Sequence, residues 1–303
     1  QMQIDPYGVL LHLYYGRKTK GCMDYLLQKQ DRGFSGNLYD AGNDRTYSLD
    51  VLPQEFPTWG TGDYRSTALI VRGQDGTTAC DLRYRGYRIL SGKYGLSGLP
   101  AVYGAEKEAQ TLEVVLEDGR TGIQVTLLYG VLPKYDVITR SAQIINTKEN
   151  IIYLEKAASA CLDFVTGKYD VISFYGRHAM ERNYQRIPVS HGNYVIGSRR
   201  GTSSHQYSPF LILTEEGTTE DAGACYAMSF VYSRRISGGS GKRPVRAEQN
   251  ADGVAAGAVF VSSEYRRSLC HTGNRDDLQQ KRAGRAFPES APVFSEQSVQ
   301  GPS

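Results

Sequence analysis

Three short motifs in the 303-residue sequence hold side chains that could do chemistry. His178-Ala179-Met180-Glu181 offers a base and a carboxylate, but it lacks the HExxH spacing that sets two histidines on one helical face around a metal. Ser203-Ser204-His205 puts a nucleophile type beside a base type, and residues adjacent in sequence do not give triad geometry, so these read as polar loop residues. Gly238-Gly239-Ser240-Gly241-Lys242 lacks both the GxxxxGK[ST] spacing of a phosphate loop and a buried strand before it. Five cysteines, at 22, 80, 161, 225 and 270, are odd in number and contain no CxxC pair. They fit reduced thiols rather than a disulfide frame or a zinc site. No metal and no cofactor is expected.

Two longer stretches are more informative. Residues 176–189, continuing through Ser198–His205 to Phe210, are dense in Arg and Glu with few long aliphatics. They suggest a polar interdomain surface or a site for a hydroxylated or anionic ligand, with buried ion-pair scaffolding the favoured reading. The stretch Asp44–Arg65 holds the only Trp, Trp59, with Pro53, Pro57, Gly60 and Gly62. Neither a helix nor a central strand can run through it. Tyr47, Leu49, Leu52, Phe56 and Tyr64 nevertheless make it too apolar for a linker, so it reads as a packed loop with a binding or structural role.

The elements around these stretches are strands. Val9–Tyr15, Cys22–Leu27, Leu69–Val71 and Asp81–Arg88 read as β-type runs. Leu112, Val114 and Leu116 alternate with polar positions, Asp118-Gly119 supplies a turn, and Ile123, Val125, Leu127 and Tyr129 alternate on the return, which is a hairpin. Val137–Ile145 and Ile151–Phe164 flank Asn146–Asn150 and read as a second hairpin. Leu211–Leu213 and Ala227–Tyr232 are the last clear strands. No segment sustains a helical period, and many antiparallel strands with short turns point to an all-β fold, a large antiparallel sandwich.

Composition divides the chain near Ser233. Of the 22 tyrosines, only Tyr265 follows that point. The last 70 residues carry 11 Lys+Arg against 7 Asp+Glu, which more than accounts for the overall charge of +3. The part before it is close to neutral and gives no case for nucleic acid or an anionic membrane. No apolar run reaches the roughly 18 residues of a spanning helix. The first residues do not form a signal peptide, so a cytoplasmic protein is expected. Residues 234–303 are rich in Gly, Ser, Ala, Arg and Gln and read as a low-complexity, disordered or aberrant tail.

Taken in order, several motifs of residues 1–233 are similar to the N-terminal region of bacterial α-galactosidases of glycoside hydrolase family 36. They are Asp44–Asp50, Gln54-Glu55-Phe56-Pro57, Gly60 with Gly62-Asp63-Tyr64-Arg65, Asp81-Leu82-Arg83-Tyr84, Gly98-Leu99-Pro100-Ala101 and Val137–Ser141. Further on come Gly176-Arg177, Glu181-Arg182, Arg186, Pro188, Ser198-Arg199-Arg200-Gly201, Ser203-Ser204-His205 and Ser229–Ser233. One departure is Ser66-Thr67-Ala68, where the family usually carries a proline.

The resemblance implies a galactose-mutarotase-like β-supersandwich over residues 1–233, preceding a catalytic (β/α)8 barrel. In the family two barrel aspartates hydrolyse terminal α-galactosyl groups, as of raffinose, with retention, a reaction that places the carboxylates about 5 Å apart. The family's Lys-Trp-Asp and Ser-Asp-Asn-type motifs do not occur here, so no catalytic residue is assigned and the chain alone is expected to be an inactive fragment. Similarity stops near Arg234-Arg235-Ile236, which suggests a frame shift in the tail.

Family members are often tetramers in which an N-terminal-domain loop reaches a neighbour's active site. Carried over, Asp31, Gly33 and Arg45 would line that sugar pocket, although the loop is two residues longer here. An Asp31–Arg45 pair that only stiffens the loop is the competing reading. Trp59, Asp63, Arg65, Arg177, Glu181, Arg182, Arg199 and His205 fall in motifs expected to be structural, with Pro57–Arg65 latching the loop. Two rivals stand beside this: a stand-alone carbohydrate-binding or assembly module, and a different glycosidase or a sugar epimerase. The second rival would cluster its carboxylates, with Asp163 and Glu155 as candidates, on the concave face of a sheet.

Overall fold

The computed structural model describes residues 1–27, 29, 31, 38–96, 102–164, 167–198, 200, 202–231, 237–242, 257–263, 268–270 and 294–297. Apolar–polar alternation becomes strand wherever one sheet face is buried. The strands are β1 (Met2–Ile4), β2 (Leu10–His12), β3 (Leu69–Gly73), β4 (Arg83–Ser91), β5 (Gln110–Asp118), β6 (Ile123–Leu132), β7 (Val137–Asn146) and β8 (Ile152–Phe164). They continue with β9 (Tyr169–Arg177), β10 (Met180–Pro188), β11 (Gly192–Gly197), β12 (Phe210–Glu215) and β13 (Cys225–Phe230). Beyond Ser233 the described strands are β14 (Ser237–Lys242), β15 (Gly257–Ser263), β16 (Ser268–Cys270) and β17 (Phe294–Gln297). The rest of the expected tail lies outside the described residues.

One sheet runs β10-β9-β12-β13-β17-β7-β6-β5-β4. A second runs β11-β14-β15-β8-β16 with β3 also on β8, and β1 pairs β2 alone. Every described strand pair is antiparallel. The all-β, sandwich-type expectation therefore holds. The β5–β6 hairpin forms in continuous register from Gln110↔Val131 to Asp118↔Ile123.

Two local expectations do not hold. Cys22–Leu27 is not a strand: Asp24–Leu26 forms a 3-10 turn whose Leu27 N–H donates to the Asp24 carbonyl at 2.9 Å. Five apolar positions in a run of six carry no period that distinguishes strand from turn. Nor do β7 and β8 pair as a hairpin. β7 pairs β6 and β17, whereas β8 pairs β3, β15 and β16 in the other sheet. The Asn146–Asn150 turn is thus an arch between layers. It is closed by Asn146, whose Nδ2 donates to the Asn150 carbonyl at 2.6 Å and whose Oδ1 accepts from the Lys148 N–H at 3.1 Å. Both strands are apolar on alternating positions, and that pattern alone does not say whether two neighbours face or pair with each other.

Between the layers Leu69, Val71, Leu116, Ile123, Val125, Leu127 and Ile152 form a core with Phe56 from the aromatic loop. A smaller cluster of Val9, Leu11, Leu13, Tyr47, Leu49 and Leu52 packs the first strand region against that loop. The loop is thus part of the interior, which burial of its aromatic and aliphatic side chains stabilises.

Candidate functional site

The aromatic loop sits over a knot of buried polar groups. Asp44 starts it with a local turn, its Oδ1 accepting from the Thr46 N–H at 2.9 Å, the type of bond that makes Asp a turn former. Further on, the guanidinium of Arg65 is fully enclosed. It donates from Nε to Asp63 at 2.7 Å and from Nη1 to Asp163 of β8 at 2.6 Å. Its Nη2 donates to the carbonyls of Leu49 at 2.7 Å and Leu52 at 2.5 Å. Asp63 also accepts from Gln54 Nε2 at 2.6 Å. Burial works to lower the Arg65 pKa, but the Asp163 and Asp63 carboxylates outweigh it and hold the group above its ordinary value. A planar five-donor fork suits such a multi-acceptor site. Arg65 thus ties both halves of the loop to β8. Trp59 is half exposed and contributes its backbone carbonyl, which accepts from the Cys80 N–H at 2.9 Å.

A second knot adjoins it. The Glu55 carboxylate meets His12 Nδ1 at 2.6 Å and Tyr129 OH at 2.9 Å, and forms an ion pair with Arg140 of β7. Arg140 also donates to the Cys161 carbonyl at 3.0 Å and lies over the Tyr129 ring. Burial first, then the Arg140 charge, push His12 down to about 3. Burial also lowers Arg140, to about 10. With its pKa lowered by burial and Arg140, His12 is neutral, and its Nδ1–H donates to Glu55, which accounts for the short contact. His12 and Glu55 are 4% and 2% exposed at the side chain, so no dissolved substrate reaches them. This is an internal lock. Sequence reading quoted Glu55 and Arg140 within motifs but gave them no role. The available signal was a charge or imidazole inside an otherwise apolar strand, as in Leu10-Leu11-His12-Leu13 and Val137-Ile138-Thr139-Arg140.

The proposed pocket edge is built differently. Arg45 Nε and Nη2 both lie 3.1 Å from Asp31 Oδ1, with the side chains 64% and 57% exposed. Gly33 lies outside the described residues. The pair lies at the solvent-exposed surface.

The Arg/Glu-rich stretch proves to be exposed hairpin β9–β10 rather than buried scaffolding. β10 is the last strand of its sheet, which leaves its charges in water. Arg177 Nε lies 3.1 Å from Met180 Sδ, and Glu181 accepts from the Ala179 N–H at 2.9 Å. Arg182 is exposed with φ +63°, a conformation that costs a non-glycine residue about 1 kcal/mol or more. Arg186 alone of these arginines is tied down, to Asp170 at 2.6 Å and to the Thr218 and Glu215 carbonyls. His205 is exposed in the Ser204–Tyr207 turn, and Arg199 lies outside the described residues. These positions do not converge on one site.

The carboxylates of the rival glycosidase reading do not converge either. Asp163 is held by Arg65, whereas Glu155 pairs with Arg72 at 2.7 Å. Eight positions apart on β8, they are separated by about 26 Å at strand rise, far from the spacing a glycosidase pair needs. Among the described residues no group of three or more His, Cys, Asp or Glu side chains could hold a metal, and no helix is long and apolar enough to cross a membrane.

Comparison with known proteins fits this architecture. Residues 8–236 match the Glycosyl hydrolase family 36 N-terminal domain. The chain is 62% identical over 237 residues to the bifunctional α-galactosidase/sucrose kinase AgaSK of Mediterraneibacter gnavus, covering 78% of this chain and 25% of that protein. It is 43% identical over 236 residues to α-galactosidase AgaA of Geobacillus stearothermophilus, covering 77% and 32%. The solved galactosidase domain of AgaSK superposes with a TM-score of 0.86 at 50% identity, over 98% of this chain and 38% of that one. A variant of AgaA solved in complex with raffinose superposes with a TM-score of 0.85 at 36% identity, over 99% and 39%. The chain thus spans about a quarter to a third of the length of the curated relatives it matches. A polar knot sealed inside a sandwich, a solvated Arg–Asp pair on its loop and a match over residues 8–236 lead to one conclusion: the chain belongs to the glycosyl hydrolase family 36 N-terminal domain family.

Proposed function

We propose that this chain is the non-catalytic N-terminal domain of an α-galactosidase that removes terminal α-galactosyl groups from oligosaccharides such as raffinose. The observation that carries the reading is the 62% identity, over 78% of this chain, to a quarter of the length of a bifunctional α-galactosidase/sucrose kinase, together with the match of residues 8–236 to a family 36 N-terminal domain. In that reading a retaining pair of aspartates belongs to the part of the relatives beyond this domain. Asp31, Gly33 and Arg45 supply the edge of a sugar pocket in a neighbouring subunit of a homo-oligomer. The exposed geometry of Asp31 and Arg45 supports this role, because a guanidinium fork and a carboxylate can donate to and accept from the same sugar hydroxyls. A cytoplasmic location is supported by the free thiols of Cys22, Cys80 and Cys225. Residues 234–303 are read as a low-complexity tail. Translating their coding DNA in the other two frames tests the frame-shift explanation, which a lack of any family-like continuation would overturn.

Two measurements test the assignment. The purified chain is expected to release no nitrophenol from 4-nitrophenyl α-galactoside above buffer, and measurable release would overturn the non-catalytic reading. A chimera carrying residues 1–233 of this chain ahead of the remainder of the Mediterraneibacter gnavus galactosidase tests the pocket edge. Arg45→Ala in that chimera is expected to raise KM for raffinose about tenfold with kcat little changed. An unaltered KM in a correctly assembled chimera would remove Arg45 from the pocket.

The half exposure of Trp59 favours a second reading, a carbohydrate-binding module. Galactose titration followed by Trp59 fluorescence separates the two, since a saturable change is expected only of the module.

A further inference from the structure

The described strands that follow Ser233 are not an appendage to the sandwich. β14, β15 and β17 each have a strand on both sides, and β16 alone of the four ends its sheet. β17 pairs β13 from Ala227↔Gln297 to Phe230↔Phe294, and β7 from Ile138↔Glu296 to Arg140↔Phe294. Among the described residues β7 and β13 do not pair with each other. Without β17 the sheet therefore divides into the halves β10-β9-β12-β13 and β7-β6-β5-β4. These halves have separate cores, one around Leu116, Val125 and Ala142 and the other around Val171, Leu213 and Met228. In the second sheet β14 and β15 together bridge β11 to β8.

The flanks of both gaps lie in the interior. Thr139 of β7, Met228 of β13, and Ala160 and Leu162 of β8 are all buried. Backbone donors and acceptors in such places must be paired. The strands that pair them bring little propensity of their own. β14 reads Ser-Gly-Gly-Ser-Gly-Lys, a composition that weakens a strand, and β17 is the four residues Phe-Ser-Glu-Gln. Similarity in sequence to AgaSK covers 78% of the chain, and the family match ends at residue 236. The solved galactosidase domain of AgaSK nevertheless superposes over 98%. The backbone path of the gap-filling strands is thus shared where the sequence is not.

We propose that residues 1–233 form a strand acceptor, into whose two gaps the segment 234–303 docks through backbone hydrogen bonds, with little demand on its side chains. The ligand class is an extended peptide. The gap between β11 and β8 takes two antiparallel strands, and the gap between β13 and β7 takes one. Main-chain pairing of this kind gives affinity for a separate peptide as well as for a tethered one. It depends on the backbone of the segment and not on the origin of its sequence, and it is independent of the sugar-pocket reading.

A protease site inserted between Ser233 and Arg234 of the full chain tests this. After cleavage of the folded protein the two pieces are expected to co-elute in gel filtration at micromolar concentration and to separate in urea. Two double variants then distinguish backbone from side chain. Val259→Pro with Ser295→Pro removes one main-chain donor from β15 and one from β17, and is expected to weaken retention of the cleaved segment about a hundredfold. Val259→Thr with Ser295→Thr keeps both donors and is expected to retain the segment as the parent does. Urea melts of the uncleaved chains should give the same ordering, so a proline variant too unstable to cleave is still read, as a midpoint well below the parent's. Release of the segment from the cleaved parent, release from the threonine variant, or a proline variant that retains the segment and melts as the parent does would overturn the proposal.

Discussion

Arg65 with Asp63 and Asp163, and Arg45 with Asp31, are the same chemistry in opposite surroundings. The first guanidinium is buried with its acceptors within 2.7 Å; the second shares one carboxylate oxygen at 3.1 Å and is mostly solvated. In the interior each donor must have a partner, because an unpaired buried charge costs several kcal/mol. At the surface water competes for the same polar groups, so the pair adds little to stability. The loop that bears both therefore divides its work. One arginine fixes its shape, and the other is left available.

Substitutions should separate the two sharply. Arg65→Ala removes the buried cation shared by two buried carboxylates and is expected to destabilise the fold by roughly 3–5 kcal/mol, read as a lower urea midpoint. Loss of less than 1 kcal/mol would mean that the knot is not the anchor of the loop.

Acid should act next, through His12. Its pKa falls from 6.5 to about 3 on folding, so the unfolded chain binds a proton that the native protein does not. The stabilisation is complete above pH 6.5 and is lost as pH falls toward 3. The expected slope is about 1.4 kcal/mol per pH unit within that window. His12→Gln should flatten this slope in pH-dependent urea melts, whereas an unchanged slope would assign the acid sensitivity elsewhere. The smallest effect belongs to the exposed pair: Asp31→Ala should change stability by less than about 1 kcal/mol, leaving the melting temperature within a few degrees of the parent.

Much of the fold was readable because period-two alternation is a local signal. β5 and β6 could be placed from Leu112–Leu116 and Ile123–Tyr129 alone. The separation of β7 from β8 was not readable, since a hairpin and an arch share the same alternation and the same Asn-rich turn. Arg65 was legible as part of a structural motif, but its acceptor Asp163 lies 98 residues away. No spacing rule reaches that far. Glu55, His12 and Arg140 come from three separate segments, and only their burial reveals that they meet. The role of the Arg/Glu-rich stretch was misjudged for a related reason: composition does not tell a buried strand from the edge of a sheet, and β10 is an edge.

The span between Arg65 and Asp163 also bears on the order in which the molecule assembles. Closing a loop of that length costs chain entropy before any contact repays it, and the Asp163 carboxylate comes within reach of Arg65 only when β8 is in position. The arginine is thus expected to reach Asp163 after the rate-limiting step of folding. In stopped-flow experiments its removal should accelerate unfolding and leave the refolding rate nearly untouched. On that account Arg65 governs how long the native domain survives, while the hairpins that form without it govern how fast the domain is made.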